Sequence, residues 1–501
     1  MEMVFTHLAL PRSADNPVRE SSKSPKRLCP GSGVFCAYLH ADKAVRAPCL
    51  PFPLDTRRST LDIANRLWRK TSPRARRDHE NRMNAVHSFA EYASRLRDFI
   101  AHGKPDDATF NALALDLFSL QFAGVAPYRR LCEARHMTPD KIVRWTEIPP
   151  VPTAAFKELE LSSLRPPERT SVFHSSGTTG QRASRHLHGA DSLAIYESSL
   201  APWFKAHLLP DAERFTLILL TPSPARVPHS SLAHMLETVR REFGSPNSLF
   251  TGDIDAGGAW TFDRTATLGA LRRSCDAGVP IAVLGTAFSF VQLLDHLGTS
   301  QSAFELAPGS RVMETGGYKG RSRALPKGEL HEMITRQLGI PASHIVCEYG
   351  MSELSSQAYD HVTGNPASAL LEPTPNPFGG GEPPSGPAGP VPLPGGVRGG
   401  FFGTIHVQNN LKTFHGSMRQ RIFHLPPWAR FRLVSPETGE EVSAREIGLI
   451  QVYDLANVRS VMAVQTEDLG VRCGDGFELI GRAAMAEPRG CSLMHFDGDR
   501  P

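Results

Sequence analysis

The window His174 to Ser184, HSSGTTGQRAS, places two glycines and five Ser/Thr within eleven residues. Glycine permits unusual φ and close approach of the backbone, so such a loop can turn successive N–H groups and hydroxyls onto an anion. The spacing is not that of a Walker A loop, because no G-x-x-x-x-G-K-[ST] occurs anywhere in the chain. A Ser/Thr/Gly-rich surface turn has the same composition, so the window alone leaves both readings open.

Two further segments offer complementary chemistry. EYGMSE, Glu348 to Glu353, follows the strand-like HIVC. A polar turn at the C-terminal end of a buried strand is where α/β proteins hold ligands. Tyr349 offers a ring for stacking, Ser352 a hydroxyl, and Glu353 a hard oxygen for Mg²⁺. An acidic first turn of a helix is the plainer alternative. TEDLG, Thr466 to Gly470, is followed by Gly481-Arg482, and its carboxylate could accept both hydroxyls of a ribose. A strand-ending turn explains it equally.

The elements that must position these residues read as an α/β body. Residues 87–102 and 108–123 carry apolar side chains at helical spacing. From Phe215 short β-rich runs alternate with helical stretches: 215–221 and a helix near 231–242, 280–285 and 287–297, 311–317 and 330–339, then 344–350. That alternation predicts a largely parallel sheet flanked by helices. Residues 448–456 and 459–470 read as strands. Two stretches differ from this body. Residues 1–83 are a Pro/Ser/Arg-rich leader expected to be disordered and outside the working unit. Residues 361–420 read as a flexible insertion, since 361–400 holds ten Gly and ten Pro. The working domain is thus expected over 84–493, with 494–501 a tail.

The 501 residues are 40% hydrophobic and 21% charged, which excludes collagen, coiled coil and wholesale disorder. The net charge of +4 hides a split, with 16 Lys+Arg and 8 Asp+Glu in residues 1–82. The remainder is mildly acidic, so the charge balance is no argument for nucleic acid. The longest uncharged apolar stretch, Gly278 to Leu294, has 17 residues and is broken by Gly285-Thr286, too short for a membrane span. The eight cysteines form no C-x-x-C pair and no zinc-finger spacing. With no secretory signal visible, they fit a reducing cytoplasm.

Taken together, a phosphate cradle, an aromatic–hydroxyl–carboxylate turn and a late Asp resemble the ordered motifs of the adenylate-forming (acyl-activating) superfamily. PVPTAAFKELEL (151–162), SSLAHM (230–235), ETGGYKGRSR (314–323), EYGMSELSSQ (348–357), PPWAR (426–430), DLANVRSVMAVQTEDLG (454–470) and RGCSL (489–493) look more narrowly like the acyl-protein synthetase (LuxE-type) family of bacterial luminescence operons. The resemblance covers roughly 84–360 and 421–493. It implies an α/β fold like the N-terminal domain of adenylate-forming enzymes, without their usual C-terminal domain, since only 19 residues follow Arg482.

The reaction implied is attack of a fatty acid carboxylate on the α-phosphate of ATP, with Mg²⁺, followed by transfer of the acyl group to a protein cysteine. By motif, Ser175, Ser176, Gly177, Thr178, Thr179 and Gly180 would hold phosphates. Tyr349 and Gly350 would meet adenine, with Gly316 and Gly317 along its edge. Ser352 would touch the α-phosphate, Glu353 would bind the metal, and Asp468 and Arg482 would hold the ribose. Lys319 and Arg321 are candidates for added charge, or a solvated basic turn, and His174 orients a phosphate or caps a strand. Cys491 in RGCSL stands where the family carries its acyl group. Arg489 beside it favours the thiolate, and Cys473 is its rival. Where the superfamily's phosphate loop usually ends in lysine, Ser184-Arg185 stand here. The expected partner is an acyl reductase or acyltransferase. The alternatives are another adenylating ligase that releases acyl-AMP or passes the acyl group to coenzyme A or a carrier protein, and a catalytically weak scaffold that presents acyl groups.

Overall fold

The computed structural model describes residues 88–103, 106–175, 182–316, 325–365 and 421–483. All belong to the second of the two units into which the chain divides, His79–Pro501. The leader, most of the Gly/Pro insertion and the tail lie outside the described residues, as do Ser176, Gly177, Thr178, Thr179, Gly180, Gly317, Lys319, Arg321 and Cys491.

Three helices open the described chain: α1 (Phe89–His102), α2 (Asp107–Gly124) and α3 (Ala126–Ala134). Side chains cap the first two, Ser88 accepting from the Glu91 N–H at 3.2 Å and Asp106 from that of Thr109 at 2.8 Å. The short strand β1 (Val151–Pro152) and helix α4 (Ala155–Glu158) lead to the hairpin β2 (Ser171–His174) and β3 (Arg185–His188), which brackets the Gly/Ser/Thr window.

Helix α5 (Ala190–Leu208) then enters the alternating region. Its elements are β4 (Thr216–Leu219), α6 (Ser231–Phe243), β5 (Leu249–Phe250), the small hairpin β6 (Gly252–Ile254) and β7 (Trp260–Phe262), and α7 (Arg264–Ala277). β8 (Ile281–Thr286), α8 (Ala287–Thr299), β9 (Arg311–Thr315), α9 (Lys327–Leu338), β10 (Ile345–Tyr349) and β11 (Ala358–Tyr359) complete it. The strands form one sheet in the order β11-β10-β9-β8-β4-β5, parallel except for β11. β8, β9 and β10 are buried along their whole length, because helices cover both faces. Leu200, Phe204, Leu236 and Val239 of α5 and α6 pack on one side. Leu271, Val291, Leu294 and Ile334 of α7, α8 and α9 pack on the other. The expected parallel α/β sheet is present with its four predicted strands, β4, β8, β9 and β10, and the two-residue edge strands β5 and β11 are additions to that reading.

The second sheet is antiparallel, which the sequence pattern had not distinguished. β12 (Ile422–Phe423), β13 (Ala429–Val434), β14 (Ile447–Asp454), β15 (Ala463–Cys473) and β16 (Gly476–Arg482) run in the order β12-β16-β15-β14-β13. β1 joins it in parallel alongside Val464 and Gln465 of β15. Its apolar face, with Val452, Val464 and Phe477, forms one core with Tyr92, Phe110, Leu117 and Phe118 of the opening helices. Among the described residues no single helix is long and apolar enough to cross a membrane.

Candidate functional site

A cavity of about 300 Å³ opens where the C-terminal edge of the parallel sheet meets the antiparallel sheet. Of the described residues singled out in the sequence, Ser175, Gly316, Tyr349, Gly350, Ser352, Glu353, Asp468 and Arg482 line it, with His174, whereas Cys473, at the far end of β15, does not.

The two motifs separated by the Gly/Pro segment meet directly. The Tyr349 hydroxyl donates to Asp468 Oδ2 at 2.9 Å, and Arg482 Nε donates to Asp468 Oδ1 at 3.1 Å. Arg482 also donates to Glu467. β10, Ile345–Tyr349, lies within the strand-like run 344–350, so Glu348 and Tyr349 belong to the strand and the turn starts at Gly350. Asp468 stands inside β15 opposite Arg482 of β16, not in a strand-ending turn. A register shift at Leu469/Gly470 directly follows it, and Gly481 has φ 151°, a conformation that suits only glycine.

The turn after β10 is clamped from several elements. The Asn457 amide donates to the Glu353 carbonyl at 2.9 Å. Buried Asp454, at the end of β14, accepts from Ser355 N–H and Ser356 Oγ, each at 2.8 Å. His186 Nδ1 lies 2.9 Å from the Ser352 carbonyl, so it carries the proton and ties β3 to this turn. Glu353 is 1% exposed, and Ser352 Oγ donates to it at 3.2 Å. A carboxylate and a hydroxyl at a cavity wall are hard oxygen donors that suit Mg²⁺.

At the base of the Gly/Ser/Thr window, the Ser184 N–H donates to Ser175 Oγ at 3.0 Å. The His174 ring stacks on His229 with centroids 4.6 Å apart. Burial holds both His174 and His186 down to about 4, and His188 is also well below the ordinary range, so the hairpin is carried by neutral imidazoles.

Across the cavity, Lys327 lies 2.6 Å from Glu314 Oε2 and donates to the Gly316 carbonyl at 3.4 Å, joining the end of β9 to the start of α9. Burial alone would raise the Glu314 carboxyl, but Lys327 and His331 hold it low. Sequence reasoning missed Lys327, Tyr196, Met235, Phe423, Leu479, Glu348 and Gln357, all of which line the cavity. Only Glu348 carried a signal, a carboxylate inside the apolar run IVCEY.

The fold and the cavity thus define an α/β protein with a candidate site beyond the carboxyl ends of a parallel sheet, closed by a second sheet that supplies a paired carboxylate and guanidinium. Residues 98–362 match the acyl-protein synthetase LuxE family, and the chain belongs to it. A curated relative, the long-chain-fatty-acid–luciferin-component ligase of Aliivibrio fischeri, is 20% identical over 418 residues, spanning 80% of this chain and 93% of that protein. Among solved structures, a 2-hydroxyisobutyryl-CoA ligase in complex with 2-HIB-AMP and CoA superposes with a TM-score of 0.48 at 11% identity, over 75% of this chain and 69% of that one. ATP-bound MatB from Rhodopseudomonas palustris gives 0.36 at 13% identity, over 70% and 52%.

Proposed function

We propose that the protein activates a carboxylic acid of the fatty-acid class with ATP and passes the acyl group to a thiol. The observation that carries this reading is the Tyr349–Asp468–Arg482 chain of hydrogen bonds, which joins two distant motifs at one cavity with Ser175, Ser352 and Glu353 on its wall. In this reading Asp468 accepts the ribose hydroxyls, held in place by Arg482, and the Tyr349 ring flanks the adenine opposite Gly316 and Gly317. The 175–180 window receives the phosphates. Magnesium, bound at Glu353, would neutralise charge on the phosphates. Ser352 faces the α-phosphate, and Lys319 adds positive charge.

The chemistry runs in two displacements. A carboxylate oxygen attacks the α-phosphorus and the α–β bridging P–O bond breaks, releasing pyrophosphate. A thiolate sulfur then attacks the acyl carbon and the acyl–phosphate bond breaks, releasing AMP; the thiol proton goes to solvent. The four described cysteines, Cys132, Cys275, Cys347 and Cys473, all have thiols raised first by burial, so none is activated in place. Of the other four, Cys29, Cys36, Cys49 and Cys491, only Cys491 stands where the family carries its acyl group, and we take it as the acceptor. A domain over 84–493 with a dispensable leader and insertion, cytoplasmic location and an acyl reductase or acyltransferase partner belong to the same proposal.

The test pairs two assays. Acid-dependent ATP–pyrophosphate exchange reads activation, and hydroxylamine-labile labelling with a radioactive acid reads transfer to the protein. Cys491→Ser is expected to abolish labelling and leave exchange intact. Persistent labelling in that variant moves the acceptor elsewhere, with Cys473 next. Exchange without labelling of the wild type points to coenzyme A or a carrier protein. No exchange with any acid leaves only a scaffold.

A further inference from the structure

We propose that Glu348 selects the acid, and that the site takes a carboxylic acid bearing a hydrogen-bond donor, a hydroxyl or an ammonium group, in preference to a bare alkyl chain. This rests on the acid-activation reading above and names its substrate class.

Neighbouring side chains of a strand point to opposite faces, and β10 uses that alternation to divide the cavity. Tyr349 faces Phe423, Phe477 and Asp468 on the antiparallel-sheet side. Glu348 shares the other face with Val346, whose core cluster contains Tyr196, Leu232 and Met235 of α5 and α6. The nucleotide groups belong to the first compartment. The second, lined by Tyr196, Leu232, Met235, Thr315, Glu348 and Gln357, is left for the body of the acid.

A plain alkyl chain fits three of those six residues, the Tyr196 ring, Leu232 and Met235. It does not fit Glu348. That side chain is 7% exposed, and Thr315 donates its hydroxyl to Oε2 only. Among the described residues no donor reaches Oε1, which lies 2.3 Å from where a Cβ on Gly350 would stand. Gly350 is therefore required for the carboxyl to sit over it at the cavity wall. Gln357 donates its amide to the Tyr196 hydroxyl at 3.5 Å, which leaves its carbonyl as a second acceptor.

Two acceptors on one wall with no donor between them call for a ligand that supplies one. Burying methylenes against the carboxyl would remove its remaining water and return no hydrogen bond. Burial already pushes Glu348 up to about 7 against the Thr315 hydroxyl and the Lys327 charge, so its own charge is only partly compensated and a donor on the ligand would add to that compensation.

The experiment measures acid-dependent pyrophosphate exchange with octanoic acid and its β-hydroxy and β-amino derivatives, alongside the ATP KM, in wild type, Glu348→Gln and Glu348→Leu. The wild type is expected to favour the substituted acids by about 10-fold or more in kcat/KM, the range of a hydrogen bond to a charged group. Glu348→Leu is expected to reverse the preference without moving the ATP KM. Glu348→Gln, which keeps an acceptor but not the charge, retains the hydroxy preference and loses the amino one. If Glu348→Leu does not fold, the wild-type ratio and Glu348→Gln decide. Octanoate used as well as or better than both derivatives by the wild type, or ratios identical in every variant, would overturn the inference while leaving acid activation standing. Exchange with none of the acids would refute acid activation itself.

Discussion

In the parallel sheet the cavity-lining side chains stand where strands end: Thr315 closes β9, and Glu348 and Tyr349 close β10. In the antiparallel sheet Asp468 stands in mid-strand and reaches the cavity beside a register shift. The first arrangement is general to parallel sheets, whose carboxyl ends converge on one edge. The second has to be built locally, with a bulge, a glycine at positive φ and an arginine across the ladder. The loops of the first sheet hold groups suited to charge that develops during reaction. The second sheet holds a rigid, already paired carboxylate suited to ground-state binding.

That contrast predicts different kinetic signatures. Glu353→Gln, in the turn after the parallel strand, removes a charge that the proposed function sets beside the phosphates. Exchange kcat should fall about 10²-fold or more, the scale of losing a main electrostatic stabiliser. A near-normal rate at low Mg²⁺ would erase the distinction between the sheets. Asp468→Ala, from the antiparallel strand, should instead raise the ATP KM about 30-fold or more, roughly 2–3 kcal/mol, because a charged acceptor is lost and Arg482 is left without it. An unchanged KM would reduce Asp468 to a structural ion pair. Tyr349→Phe keeps the ring and removes only the hydroxyl on Asp468. It should raise the ATP KM by about 2- to 10-fold, as for one neutral donor. A loss as large as that of Asp468→Ala would mean that the hydroxyl, and not Arg482, fixes the carboxylate.

The last effect is nil at neutral pH. His186 and His188 are buried and neutral, with folded pKa values below the ordinary 6.5, about 4 for His186. As pH falls through 6.5 the unfolded chain takes up protons that the folded hairpin refuses, so stability drops progressively until about 4. Melting temperature followed from pH 7 to 4 should show this fall, and His186→Asn should flatten part of it. A profile identical in the variant would sever the hairpin from the acid response.

The parallel sheet was legible because its central strands β4, β8, β9 and β10 are short apolar runs, the first three each followed by a helix, the pattern that double-sided burial imposes. The antiparallel strands were only partly legible. VMAVQTEDLG mixes a buried half with a polar half, and its break at Asp468 reads like a turn when the partner strand is unknown. The motif residues Tyr349, Glu353 and Asp468 were found because their chemistry is unusual in type and order. Tyr196, Met235 and Phe423 were not, since inside helices and strands they are indistinguishable from core residues until the cavity exists. Lys327 was missed because a lysine at a helix start is normally solvated, and only the buried Glu314 gives it a place.

The pairing of β1 with β15 joins Val151 to Val464, about 300 residues apart. The opening helices α1 and α2 share their core with Val452, Val464 and Phe477 of the last strands. During synthesis the parallel sheet and its helices have local partners as soon as they leave the ribosome. α1 and α2 meet each other, α3 and α5 early, but the contacts they make with Val452, Val464 and Phe477 wait for the last strands, and contacts of such high sequence separation form slowly. The compartment that the proposed function assigns to the nucleotide shares that delay, because Asp468 arrives only with the late strand. In that reading the newborn chain completes the compartment proposed for the acid before the one proposed for ATP.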